Sequence, residues 1–193
     1  MSSGPRWDFS TSSTRRALTA RQRRIRIALV CTLLSALSLV SATSNRTARL
    51  VLWNDTPSEP TGLYIRTAAE PKLGEMAAFM APSPAMAYVA QHLSLLQHRP
   101  ILKVLAAGPG AVVCTTSGRL VIDGRETGRV AAHDRHGHLL PAWRGCRRLG
   151  AGEWFAYSGR TPNSFDSRYY GPIRSTQVMA IYAPLWTDRS PAR

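Results

Sequence analysis

The sequence predicts a mainly β domain of antiparallel strands with one short helix, preceded by a single N-terminal transmembrane helix. Three observations predict it. Residues 27–45 carry no charged side chain, a stretch close to the roughly 17–25 residues that a membrane-spanning helix needs. After residue 50 the chain breaks into short runs rich in β-branched and aromatic side chains, bounded by Gly, Pro, Asp and Ser, which is how strands and turns are written. One segment alone, 85–98, spaces its apolar residues as an amphipathic helix does.

At 193 residues the chain has room for one domain of about 100–150 residues and an appendage. Residues 1–26 are a basic tail, with Arg15, Arg16, Arg21, Arg23, Arg24 and Arg26 ahead of the apolar stretch. Basic residues gather on the cytoplasmic side of a span, so the expectation is a cytoplasmic tail (1–26), an anchor (27–45) and a domain on the far side of the membrane (46–193). A cleaved secretory signal is the competing reading, because basic, apolar and small-residue regions follow in order up to Ser41-Ala42-Thr43. The uncharged stretch is long for a signal, which favours a retained anchor. Both readings export residues 46–193.

In the exported part the strands expected are 50–53, 63–66 and 75–80, then 101–106, 111–115, 120–122, 153–158 and 177–183. Pro57, Gly74, Gly108-Pro109-Gly110, Ser117-Gly118 and Gly150-Ala151-Gly152 supply turns between them. The helix is expected over 85–98, from Met86, Val89, Leu93 and Leu96. Asp123-Gly124 reads as a tight hairpin turn, and the polar chain from there to Pro141 as a peripheral hairpin or loop.

Formal net charge is +14, and residues 46–193 keep 18 basic against 10 acidic residues. Export removes nucleic acid as a partner, and the excess fits an anionic membrane surface better. Cys114 and Cys146 lie in the exported part, where pairs commonly oxidise. A disulfide there would close a loop of about 30 residues, for roughly 3 kcal/mol in the chain-entropy model; two buried thiols are the alternative.

Only two of the 25 basic residues are lysines, and Lys103 sits in the apolar run Ile101-Leu102-Lys103-Val104-Leu105. Arginine stays charged, whereas a desolvated lysine can give up its proton and act as a base. A base needs a hydroxyl to serve. Ser58, set among Pro57, Pro60 and Gly62, lies on a backbone that would present a side chain, although alone it is an ordinary turn residue and Lys103 alone a side chain snorkelling at a sheet edge. His133, His136 and His138 lack the spacing of a known zinc motif and read as a solvated loop.

Four elements taken together say more. Asn54-x-Thr56-x-Ser58-x-Pro60-x-Gly62-Leu63-Tyr64, then Ile101-Leu102-Lys103-Val104 leading to Pro109-Gly110, then Ser164-Phe165-Asp166-Ser167-Arg168-Tyr169-Tyr170-Gly171-Pro172, and last Ala183-Pro184-Leu185-Trp186-Thr187 resemble the signal peptidase I family, and within it the conjugative-transfer peptidases of the TraF type. The resemblance runs from the anchor through Trp186. It departs at Val104 and Ala111, where that family usually has arginine and aspartate.

The resemblance implies a signal-peptidase-like fold and a Ser-Lys dyad, with Ser58 as nucleophile and Lys103 as general base. It implies that the Ser164 hydroxyl orients the lysine amine, that Asp166 supports catalysis and pairs with Arg168, and that Thr56 helps the Ser58 N–H to hold the oxyanion. Neither metal nor organic cofactor is implied. The implied substrate is a pilin precursor or another exported preprotein, processed and in some systems cyclised, at the periplasmic face of a bacterial inner membrane, with membrane lipid and other conjugation proteins as neighbours. A housekeeping leader peptidase of broad specificity and a catalytically idle component of a conjugation channel are the alternatives.

Overall fold

The computed structural model describes residues 25–32 and 49–188. The chain divides into two units, Met1–Thr47 and Ala48–Arg193. In the first, residues 25–32 are helical (α1). Most of the expected anchor, 33–45, and the tail before residue 25 lie outside the described residues, among which no helix is long and apolar enough to cross a membrane.

The second unit is mainly β. Strands β1 (Val51–Asn54), β2 (Gly62–Thr67), β3 (Met76–Phe79), β4 (Ile101–Ala107), β9 (Glu153–Ala156), β10 (Ile173–Arg174) and β11 (Val178–Thr187) form a seven-stranded sheet in the order β1-β2-β11-β3-β4-β9-β10. A second sheet has the order β7-β6-β5-β8, from β5 (Val112–Thr116), β6 (Arg119–Ile122), β7 (Arg125–Arg129) and β8 (Gly145–Arg148). Every strand pairing is antiparallel.

Alternation along the central strands sorts their side chains to two faces. Ala77, Phe79, Ile101, Leu105 and Ile181 join one buried cluster with Val89, Tyr169 and Tyr170. Ala78, Leu102, Ala180 and Tyr182 join Tyr64 in a second on the other face. A third cluster links the two sheets through Ala107, Phe155, Val113, Leu120 and Leu149. Each large apolar side chain fully buried in these clusters contributes about 1.5–3 kcal/mol.

The helix expected over 85–98 is shorter and broken. A 3-10 turn (Ser83–Ala85) leads into α2 (Met86–His92), and Leu93, at φ −132° and ψ 50°, interrupts it before a second 3-10 turn, Ser94–Gln97. Leu93 and Leu96 still pack on the core, and a spacing of three eclipses in a 3-10 turn. A second helix, α3 (Ser167–Tyr170), was not expected. Asp123 (φ 48°) and Gly124 (φ 78°) turn β6 into β7 with Ile122 opposite Arg125, the positive-φ pair that a two-residue hairpin needs. Strands β7 and β8 escape the sequence pattern because they are the polar edges of the small sheet. Cys114 and Cys146 face each other across β5 and β8 and form a disulfide.

Candidate active site

The turn between β1 and β2 carries Ser58 and is held from inside. Asn54, buried at the end of β1, donates through Nδ2 to the carbonyls of Thr56 (2.9 Å), Glu59 (3.1 Å) and Pro60 (3.0 Å), sharing two hydrogens among three acceptors. Its Oδ1 accepts from the Thr56 N–H and hydroxyl. From β2, the Tyr64 hydroxyl donates to the Pro60 carbonyl at 2.6 Å. Gly62 begins β2 at φ 136°, where a Cβ would lie 2.2 Å from the Trp186 carbonyl oxygen; only glycine admits both that dihedral and the close approach of β11.

Lys103 comes from the middle of β4. It shares a face with Ile101 and Leu105 and lies opposite Ala77 of β3. Leu102 and Val104, expected to help bury it, alternate to the other side, so the strand's own wall is half of what the sequence suggests. The residue is still only 4% exposed.

Lys103 Nζ and Ser58 Oγ are 2.8 Å apart. Nζ also donates to the Leu102 carbonyl at 2.9 Å. Burial lowers the Lys103 pKa below the ordinary lysine value, against the raising effect of the Glu59 and Asp166 charges and with a smaller lowering by Arg168. A buried amine with a lowered pKa next to a hydroxyl is a pairing that can activate a serine.

The turn does not hold Ser58 out in solvent, as its prolines suggested. The residue is 9% exposed, because the segment after β9 closes on it. Tyr157 extends the β4 pairing by donating its N–H to the Val104 carbonyl at 2.9 Å, which brings Ser158 alongside, and the Ser158 hydroxyl donates to the Ser58 carbonyl.

Asp166 and Arg168 anchor this segment. Arg168 Nε and Nη2 reach Asp166 Oδ1 and Oδ2 at 2.7 and 2.9 Å, both residues being almost wholly buried. Arg168 also donates to the carbonyls of Ser164 and Arg129, and its guanidinium lies 4.9 Å from the Tyr157 ring centre. Asp166 caps α3 through the Arg168 N–H and accepts from the Ser158 N–H at 3.3 Å. The carboxylate thus connects to Ser58 through Ser158.

Two expected contacts differ. Ser164 is buried, yet its Oγ makes no hydrogen bond; the orienting contact to the lysine amine is not formed, and the Leu102 carbonyl occupies that role. Thr56 Oγ1 lies 3.4 Å from Ser58 Oγ, but its hydrogen is directed to Asn54 Oδ1 at 2.8 Å, so donation to an oxyanion requires rotation away from Asn54. Asn54, Glu59 and Ser158 were not assigned roles from sequence. Asn54 stood inside the recognised motif, whereas Glu59 and Ser158 reveal themselves only by burial.

The histidines lie elsewhere. His138 contacts Asp134 at 2.9 Å and its ring stacks on His92 at 4.0 Å; among the described residues no group of three metal-ligating side chains converges.

The signal peptidase, peptidase S26 family matches residues 22–186, a span that includes Ser58, Lys103 and the Asp166–Arg168 pair. The chain belongs to that family. It is 32% identical to the conjugal transfer protein TraF of Agrobacterium tumefaciens (strain 15955) over 146 residues, 69% of this chain and 81% of that protein. It is 26% identical to the plasmid transfer protein TraF of Escherichia coli over 144 residues, with the same shares covered. A solved signal peptidase I of Enterococcus faecalis V583 aligns with 60% of this chain and 98% of its own length, at 21% identity and a TM-score of 0.37, a likeness too weak to bear on the fold. Within the S26 family this chain is of the TraF type, and its domain is of the serine-peptidase type.

Proposed function

We propose that this chain is a membrane-anchored signal-type peptidase that uses Ser58 and Lys103 to process a pilin precursor for conjugative transfer, with its catalytic domain on the periplasmic side of the inner membrane. The observation that carries the reading is the 2.8 Å approach of Lys103 Nζ to Ser58 Oγ in a buried setting. The neutral amine takes the Ser58 proton as Oγ attacks the scissile carbonyl. The tetrahedral oxyanion meets the Ser58 N–H and, once rotated, the Thr56 hydroxyl, each such donor contributing about 3–4 kcal/mol. The Lys103 ammonium then gives its proton to the leaving amine, leaving an acyl-enzyme on Ser58. Water activated by Lys103 hydrolyses the ester; an amine of the pilin itself in that place gives a cyclic product, with the same nucleophile and base.

The conjugation context is supported by the TraF proteins that the chain resembles. The membrane surface is supported by one face of the sheet. Val51, Ile65 and Ala183 align across β1, β2 and β11, and Trp53, Leu63 and Trp186 form the next row. Val51, Ile65, Trp53 and Trp186 are exposed, with the two indole rings 6.4 Å apart. Trp53 and Leu63 flank the Ser58 turn, and apolar side chains with tryptophan beside them suit the boundary of a bilayer.

Co-expression with the pilin precursor tests the reading by the intact mass of the pilin. Wild type yields the processed mass, and both Ser58→Ala and Lys103→Arg leave the precursor uncut. Equal processing by all three would remove the dyad.

A further inference from the structure

One buried carboxyl is not used by the mechanism above. Glu59, directly after the nucleophile, is 3% exposed. Asp166, also buried, is met by both arms of Arg168, whereas Glu59 Oε1 makes no hydrogen bond. The carboxyl is otherwise hydrogen-bonded by Ser158 and the Val104 backbone, but with one oxygen unpartnered in a dry interior its charged form is costly unless it is neutralised or faces a cation. Two cations act on its charge, Lys103 first and Arg160 more weakly, and Glu59 in turn acts on Lys103.

We propose that Glu59 is a positioning residue that governs Lys103: ionised, it holds the lysine as an ammonium, and protonated, it releases the amine to Ser58. The arrangement follows from sequence neighbours. The turn that presents Ser58 to β4 carries Glu59 with it, and the Asn54 bonds to the carbonyls of Glu59 and Pro60 fix the backbone there. The groups facing Glu59 are Lys103 from β4, Tyr64 from β2, and Ser158 and Arg160 from the segment after β9. Those facing Lys103 are Glu59, Asp166 and Arg168.

Removing one proton from the pair leaves either a protonated Glu59 with a neutral Lys103 or a carboxylate with an ammonium, and only the first can activate Ser58. Burial, opposed by Lys103 and then by Ser158, the Val104 backbone and Arg160, pushes the Glu59 carboxyl up to about 7. Glu59 and Lys103, each acting on the other's charge, titrate as a coupled pair, and the base carries the signature of its neighbour.

The coupling itself stands on the cluster; its consequence for rate rests on the dyad reading. The composition provides a direct measurement, because the chain has two lysines, Lys72 and Lys103, and Lys72 is exposed. The full chain in detergent micelles, labelled with 13C at the lysine ε carbons, gives two resonances to follow against pH, with Lys72 as internal reference. The Lys103 resonance of wild type is expected to move in two steps. In Glu59→Gln a single step remains, displaced to lower pH by roughly one unit, the size expected on removing an opposite charge from a buried site. The acid limb of kcat/KM for precursor cleavage follows it. A single inflection in the wild type overturns the proposal, whether or not the variant folds, as does an unchanged Lys103 titration in a folded Glu59→Gln. A two-step lysine in a chain whose Ser58→Ala variant still processes the pilin would keep the coupling and remove the peptidase reading; a dyad active without the two-step trace would do the reverse.

Discussion

In the proposed reading, Lys103 shows why one residue type carries the chemistry. Opposite it stands Ala77, small enough to leave room for the lysine stem, and the rest of that face is apolar. Burial lowers its pKa, so kcat/KM for precursor cleavage is expected to rise as this group loses its proton, with a midpoint below the ordinary 10.5; a pH–rate profile flat through that range would contradict it. Stability follows the same groups. The folded chain binds fewer protons than the unfolded one between the lowered Lys103 pKa and 10.5, so this residue's contribution grows as pH rises through that window. Glu59, raised from 4.5 to about 7, contributes stability fully present below 4.5 and lost as pH rises through about 7. Glu59→Gln should therefore weaken the dependence of urea stability on pH between those values. Replacing Asp166 with alanine strands the buried Arg168, and we expect a loss of about 3–5 kcal/mol in urea unfolding. Of these residues Ser58, Lys103 and the Asp166–Arg168 pair are legible in sequence, because motif and chemistry mark them. Glu59 is not, since nothing in a sequence says that a glutamate in a proline-rich turn folds inward.

Elements place these residues. Gly62→Ala sets a Cβ against the Trp186 carbonyl at a positive φ, and we expect a loss of about 1–3 kcal/mol together with weakened processing, because the β1–β2 turn and the β2–β11 pairing share that residue. The disulfide sits apart, in the small sheet. Reduction should cost roughly 3 kcal/mol of thermal stability and leave precursor cleavage intact, read by intact mass after dithiothreitol and alkylation. The central strands are legible because they alternate or run apolar. The polar edges β7 and β8 are not, because almost all of their side chains are exposed and a strand that buries neither face carries no hydrophobic period. The helix over 85–98 is overread for a related reason: its apolar spacing fits a helix throughout, and only the backbone at Leu93 reveals the break.

For the molecule as a whole, the apolar rows across β1, β2 and β11 connect the Ser58 turn to a surface. Replacing both Trp53 and Trp186 with serine should slow processing of precursor in vesicles while leaving cleavage of a soluble peptide in detergent unchanged; equal loss in both assays would make the rows structural instead. The antiparallel β class and the order of the elements that carry Ser58, Lys103 and the Asp166–Arg168 pair were legible along the chain, whereas the division into two sheets was not, because it depends on strand partners far apart in sequence. The proposed chemistry passes through a covalent acyl-enzyme on Ser58. Wild type quenched with acid during turnover of the pilin precursor, then digested and weighed, should carry the pilin acyl fragment on the peptide that contains Ser58, and Lys103→Arg should carry none. Turnover with no adduct on Ser58, or with the adduct on another residue, would contradict it.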